Sequence, residues 1–120
     1  MADHCRPMID ARRMEVFTAL YNPDGEQLEE PNAKSVDENC FAEELTNFKT
    51  LFCGNGAAKC EELLSKFPNA IFKKEPLSAQ NMASIAFRKF QAEQFENVAY
   101  FEPFYLKDYV AAKPKVKGLI

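Results

Sequence analysis

The turn "NPDG" at Asn22–Gly25 is the strongest constraint in this chain. Proline at its second position fixes φ, and glycine at its end accepts a left-handed backbone. The seven residues before it, "EVFTALY" at Glu15–Tyr21, are rich in β-branched and aromatic side chains and read as a strand. Its alternating faces are Val16, Thr18, Leu20 and Glu15, Phe17, Ala19, Tyr21. Both are largely apolar, so the strand is expected to be central and covered on both sides. Pro7–Asp10 reads as a short strand ahead of it, and Glu26–Glu30 as a polar edge strand returning from the turn. A three-stranded antiparallel meander therefore opens the chain.

Strands and helices then alternate. Ser35 and Glu38 have capping-box spacing, ahead of a helix carrying Phe41, Leu45 and Phe48 on one stripe. "TLFC" at Thr50–Cys53 reads as a buried strand, and "GNG" at Gly54–Gly56 turns it into a helix with Cys60, Leu63, Leu64 and Phe67 inward. Ala70–Lys73 is a further strand. Ser78 caps a last helix with Met82, Ile85, Ala86 and Phe90 as its inner stripe. "AYFEPFYLKDYV" is aromatic and extended, with Pro103 limiting regular pairing. A meander followed by α-β-α-β-α predicts an α/β fold with a mixed sheet, the layout of a ribonuclease-H-like lobe. With 120 residues, 47% of them hydrophobic, residues 1–120 are expected to form one domain. Residues 1–6 and 110–120 are expected to be flexible ends.

The net charge of −3 gives no electrostatic reason for tight nucleic-acid binding by the whole surface. Charge is uneven, however. Asp24–Glu44 holds eight acids and one base, Lys34, and residues 107–120 hold four lysines and one acid. A solvated acidic face and a frayed basic tail account for this. Cys5, Cys40, Cys53 and Cys60 form no Cys-x-x-Cys pair, and three lie in apolar runs, as reduced buried thiols of a cytoplasmic protein do. No secretory leader is visible, and no apolar run is long enough to span a bilayer.

The densest chemistry lies in "PMIDARRMEVFTALYNPDG", where Asp10 precedes Arg12 and Arg13. An acid beside two arginines at a hairpin suits a phosphate or catalytic site, or an ordinary surface turn. "GNGAAK" places glycines at a helix start, where amide groups can hold an anion. Its spacing matches neither the P-loop nor the dinucleotide fingerprint, so a tight turn that needs glycine geometry is the competing reading of Gly54, Asn55 and Gly56. His4 is the sole histidine, which removes the material for a Ser-His-Asp or Cys-His mechanism and for zinc hydrolysis. Glu29–Glu30 and Glu43–Glu44 read as solvated charge. Two-metal nuclease chemistry needs several converging acids, and only Asp10 is well placed. Tyr100, Phe101, Phe104, Tyr105 and Tyr109 suit core packing, base stacking or a partner surface.

Three segments, "PMIDARRMEVFTALY", "GNGAAK" and "PLSAQNMASIAFRKF" leading to "EPFYLKDYVAAK", resemble in that order the C-terminal lobe of the TsaB (YeaZ) family. The resemblance spans about residues 6 to 117. It implies the actin-like ATPase superfamily, with two similar ribonuclease-H-like lobes, and older glycoprotease or M22 peptidase labels. It implies no protease here and no catalytic residue. The family's role is a scaffold in tRNA threonylcarbamoyladenosine biosynthesis that pairs with TsaD, with the ATPase TsaE joining them. The expected partners are therefore a TsaD-like subunit, a TsaE-like ATPase indirectly, and tRNA through the complex, with a homodimer as a further expectation.

The family's N-terminal lobe has no counterpart here, so the chain is expected to be an excised lobe or a truncated frame. In actin-like ATPases the hairpin tip that holds phosphate uses glycine and small polar residues, so that backbone amides approach the anion. Here the tip is Ala11–Met14 with no glycine. Asp10, Arg12 and Arg13 are thus expected to form a degenerate phosphate hairpin, with Asp10 capping the turn or pairing with an arginine, and an arginine left for a partner. No cofactor and no metal are expected. The alternative is a nucleotide-binding ATPase or kinase-like lobe that holds ATP or ADP with magnesium at Gly54, Asn55 and Gly56. Direct tRNA binding through Lys113, Lys115 and Lys117 is a third reading.

Overall fold

The computed structural model describes residues 1–74 and 78–106. The chain builds a five-stranded mixed sheet. Its strands are β1 (His4–Asp10), β2 (Glu15–Tyr21), β3 (Gln27–Ser35), β4 (Thr50–Cys53) and β5 (Ala70–Phe72). Their order across the sheet is β3-β2-β1-β4-β5. β1, β2 and β3 pair antiparallel, while β4 runs parallel to β1 and β5 parallel to β4. The helices are α1 (Ala42–Asn47), α2 (Glu61–Leu64) and α3 (Ala83–Gln91); short 3-10 turns at Ala58–Cys60 and Ala79–Met82 lead into α2 and α3. The expected order of elements is therefore found.

The NPDG hairpin forms as read. Gly25 takes φ +87°, its N–H donates to the Asn22 carbonyl at 3.0 Å, and Asn22 Oδ1 accepts from the Glu26 N–H at 2.9 Å. Alternation places Met8, Val16 and Phe52 on one face of the sheet. There they meet Phe41 and Leu45 of the α1 region and Cys60 and Leu64 of the α2 region in a single buried cluster. Phe52 sits between Phe41 (ring centroids 5.6 Å) and Phe72 (5.2 Å). Thr18 is buried in this sheet because its hydroxyl donates to the Pro7 carbonyl at 2.8 Å.

Several expectations are corrected. β1 starts at His4 rather than Pro7, so residues 4–6 belong to the central strand. β3 runs to Ser35, where Ser35 pairs with Glu15, so Ser35 cannot cap a helix with Glu38. The turn is held instead by Asp37 Oδ1, which accepts from the Asn39 and Cys40 N–H groups at 2.8 Å each. α1 is short, and of its expected stripe Phe41 and Leu45 are buried but Phe48 is exposed. Ser78 does cap, accepting from the Gln80 N–H at 3.2 Å. Yet Met82, Ile85, Ala86 and Phe90 are exposed rather than inward, because α3 packs on the 3-10 turn before it and the sheet does not cover its apolar stripe. Tyr100, Phe101, Phe104 and Tyr105 are also exposed, the last two and Leu106 lining an open hollow with Ile9 and Phe17 on the second sheet face. Tyr109, Lys113, Lys115 and Lys117 lie outside the described residues.

Candidate functional site

The two sequence features read separately, Asp10-Arg12-Arg13 and Gly54-Asn55-Gly56, meet at one end of the β1–β4 pair. Parallel pairing aligns Pro7 with Cys53, so the hairpin leaving β1 and the turn leaving β4 emerge side by side. The Gly56 N–H donates to the Met8 carbonyl at 2.9 Å, and Asn55 Oδ1 accepts from the Asp10 N–H at 2.9 Å. Gly54 takes φ +92°, and a Cβ there would lie 2.3 Å from the Met8 carbonyl oxygen. Glycine at this turn thus serves close approach to β1. The Gly56 amide is spent on that approach and does not face an anion.

Asp10 does cap the hairpin: its Oδ1 accepts from the Arg12 N–H at 2.9 Å. Its ionic partner is not an arginine. Lys59, one turn past the glycines, bonds to Asp10 Oδ1 and donates to the Glu15 carbonyl at 2.7 Å. The Lys59 hydrogen bond, helped by the Arg12 amide, holds the Asp10 carboxyl below its ordinary value of 3.8. Lys59 is the lysine of "GNGAAK", whose spacing fits no P-loop, and its role depends on β1 and β4 being neighbours.

Arg12 and Arg13 sit at φ 78° and 50°, in the left-handed region. Neither guanidinium makes an ion pair among the described residues. They flank an open hollow of about 540 Å³ lined by Ala11 to Glu15 and Ser35. A left-handed backbone costs an L-residue about 1–2 kcal/mol, and glycine in its place loses roughly 0.5–1 kcal/mol to chain entropy. Arg12→Gly and Arg13→Gly are therefore each expected to raise stability by up to about 1 kcal/mol in urea unfolding. Lower stability would mean that the side chains themselves support the turn.

A second cluster went unread in the sequence. Arg6, inward on β1 beside Met8, is only 3% exposed. Its Nη1 donates to Glu29 Oε2 at 2.6 Å and its Nε to Glu44 Oε2 at 3.1 Å, while its Cζ lies 4.7 Å from the Phe41 ring centre. Lys34 Nζ adds a bond to Glu29 Oε1 at 3.2 Å. Glu29 and Glu44, read as solvated charge, are instead partners of a buried cation. His4 Nδ1 and Glu44 Oε1 lie 3.4 Å apart, both buried and without a well-formed hydrogen bond. These groups line a cleft of about 410 Å³ with Phe41 and Phe48.

Partial burial alone would raise the Glu29 carboxyl, but the hydrogen bonds and charges of Arg6 and Lys34 outweigh it and hold it below its ordinary 4.5. Glu29 and Asp10 are thus both more acidic in the fold than in the open chain. The stability they add is complete above their ordinary values and is lost as pH falls through the lowered ones. Urea midpoints are expected to be level from pH 7 to about pH 5 and to drop at more acid pH. Asp10→Asn with Glu29→Gln should flatten that drop.

Among the described residues no group of three or more His, Cys, Asp or Glu side chains is arranged to hold a metal ion. No described helix is long and apolar enough to cross a membrane.

No family model and no curated protein sequence matches this chain. Its fold is similar to a solved structure described as an uncharacterized protein with similarity to peptidase YEAZ from Pseudomonas aeruginosa. The TM-score is 0.67 at 18% identity, over 88% of this chain and 50% of that one. This likeness shows a mixed α/β fold with a multi-stranded sheet and helices. The chain spans half the length of that structure.

Proposed function

We propose that this chain is a non-catalytic partner lobe of the TsaB (YeaZ) kind. It acts in tRNA threonylcarbamoyladenosine biosynthesis by binding a TsaD-like subunit. A TsaE-like ATPase joins through that assembly, and tRNA reaches the lobe only within it. In this reading the sheet is that of a ribonuclease-H-like lobe of the actin-like superfamily. Its order β3-β2-β1-β4-β5, antiparallel in the meander and parallel beyond, supports that assignment.

The observation that carries the proposal is the hairpin tip. Where a phosphate hairpin offers backbone amides, this tip presents two guanidinium groups on left-handed backbone. The neighbouring glycine turn uses its Gly56 amide on β1. Strained non-glycine backbone of this sort clusters at functional sites. Arginine is a strong anchor at protein interfaces.

Capture of the chain by a TsaD-like subunit tests the proposal, with the chain alone and as part of a two-lobe protein. Binding is expected in at least one form, weakened by Arg12→Ala with Arg13→Ala. No capture of either form would overturn it. The nucleotide-binding alternative is tested by following melting temperature against ATP with magnesium. A specific site filled at 100 times its dissociation constant adds about 2.7 kcal/mol. No shift up to millimolar nucleotide is expected; a saturating shift lost in Asn55→Ala would favour the alternative.

A further inference from the structure

We propose that Cys5 and Cys53 form a reversible thiol–disulfide switch on the second face of the sheet. Cys5 lies on β1 and Cys53 on the adjacent parallel strand β4, and their Sγ atoms are 3.9 Å apart. Both are reduced and half-buried. The register sets Cys5 opposite Leu51 and Cys53 opposite Pro7, which makes the two cysteines diagonal neighbours. Diagonal positions on adjacent strands are spaced about 8 Å between Cα atoms, past the roughly 7 Å at which a bridge needs backbone movement, so closing it draws β1 and β4 together. The bridge is therefore strained, and strained disulfides are the readily reduced, regulatory ones rather than permanent staples.

The remaining cysteines are Cys40 and Cys60. Cys60 is fully buried with its Sγ 3.5 Å from the Gly56 carbonyl oxygen, and Cys40 holds the Asp37 carbonyl at the same distance. Burial pushes both thiols above their ordinary acidity range.

The oxidant is a low-molecular-weight disulfide such as oxidised glutathione. One protein thiolate attacks it, forming a mixed disulfide and releasing one glutathione thiolate. The second protein thiolate then attacks the protein sulfur of that mixed disulfide, closing the Cys5–Cys53 bond and releasing the second glutathione. The protein is oxidised by two electrons, the oxidant is reduced to two thiols, and the two protons lost from the cysteines end on those thiols.

The test treats the folded chain with oxidised glutathione, alkylates what remains reduced and maps the peptides by mass. The expected product is lighter by two hydrogens before alkylation, monomeric on a non-reducing gel, and linked from Cys5 to Cys53. Dithiothreitol returns it to the dithiol without unfolding. Cys5→Ser and Cys53→Ser are each expected to lose the link and stop at a glutathione adduct, while Cys40→Ser keeps it. Circular dichroism checks that each variant is folded, and should a serine variant unfold, mapping of the unsubstituted protein decides alone. Adducts without the Cys5–Cys53 link, a link between other cysteines, or a link that forms only in urea would overturn the proposal.

Discussion

Replacing Arg6 by alanine is expected to cost about 3–5 kcal/mol in urea unfolding, close to the loss seen when one partner of a buried ion pair is removed. The guanidinium is 3% exposed and bonds Glu29 and Glu44 at once. Without it, Glu44, whose side chain is only 13% exposed, keeps a carboxylate beside Phe41, Phe48 and the His4 ring, with no lysine or arginine paired to it among the described residues. The aliphatic stem of Arg6 also packs in the sheet, and its plane covers the Phe41 ring, so packing is lost with the charge. Arg6→Met with Glu44→Leu is the control: it removes the arginine with its more buried carboxylate, keeps the volume and leaves Glu29 to Lys34. It is expected to recover most of the loss, since a buried pair is worth little against apolar residues of similar size. If the double variant is as unstable as Arg6→Ala, packing of the arginine rather than an orphaned carboxylate sets the cost.

Gly54→Ala is expected to destabilise by about 2–4 kcal/mol, from a left-handed backbone that alanine adopts poorly and from overpacking against β1. The added Cβ would meet the Met8 carbonyl oxygen at 2.3 Å and the Met8 carbonyl carbon and amide nitrogen at 3.1 Å. All three atoms are backbone of the central strand, so relief requires β1 or β4 to move. That movement also stretches the Gly56–Met8 and Asn55–Asp10 hydrogen bonds. Gly25→Ala is the comparison: it shares a positive φ of +87° but has open space around it. It should lose only the backbone share, about 1–2 kcal/mol. Equal losses at the two positions would show that close approach to Met8 adds nothing.

These two sites differ in how far the sequence revealed them. Gly54 was legible as a required glycine because a strand ended and a helix began around it within three residues. What it approaches was not legible, since Met8 lies far away in the chain and becomes its neighbour only through β1–β4 pairing. Arg6 carried no such signal, because it falls before the Pro7–Asp10 strand read from the sequence, in a stretch expected to be a flexible end. Ser35 with Glu38 shows the opposite failure: a local capping pattern lost to a strand that found a partner in Glu15. Pairing of a whole strand outweighs one cap, so the tertiary contact decided where β3 stopped.

The exposed stripe of α3 is the same lesson from the other side. Periodicity defines a face, but not what covers it, and Met82, Ile85 and Phe90 keep their helical spacing without a sheet beneath them. By itself the sequence determined the meander, its NPDG turn, the alternation of strands with helices, and the need for glycine after β4. All of these depend on short-range chemistry: backbone angles, side-chain period and turn hydrogen bonds. Only the tertiary structure decided that β1 lies between β2 and β4. That placement gives Asp10 a lysine instead of an arginine, buries Arg6 between two glutamates, and sets Cys5 beside Cys53. Each of these pairs joins residues far apart in the chain, and their proximity is fixed by strand order and register, which no local pattern encodes.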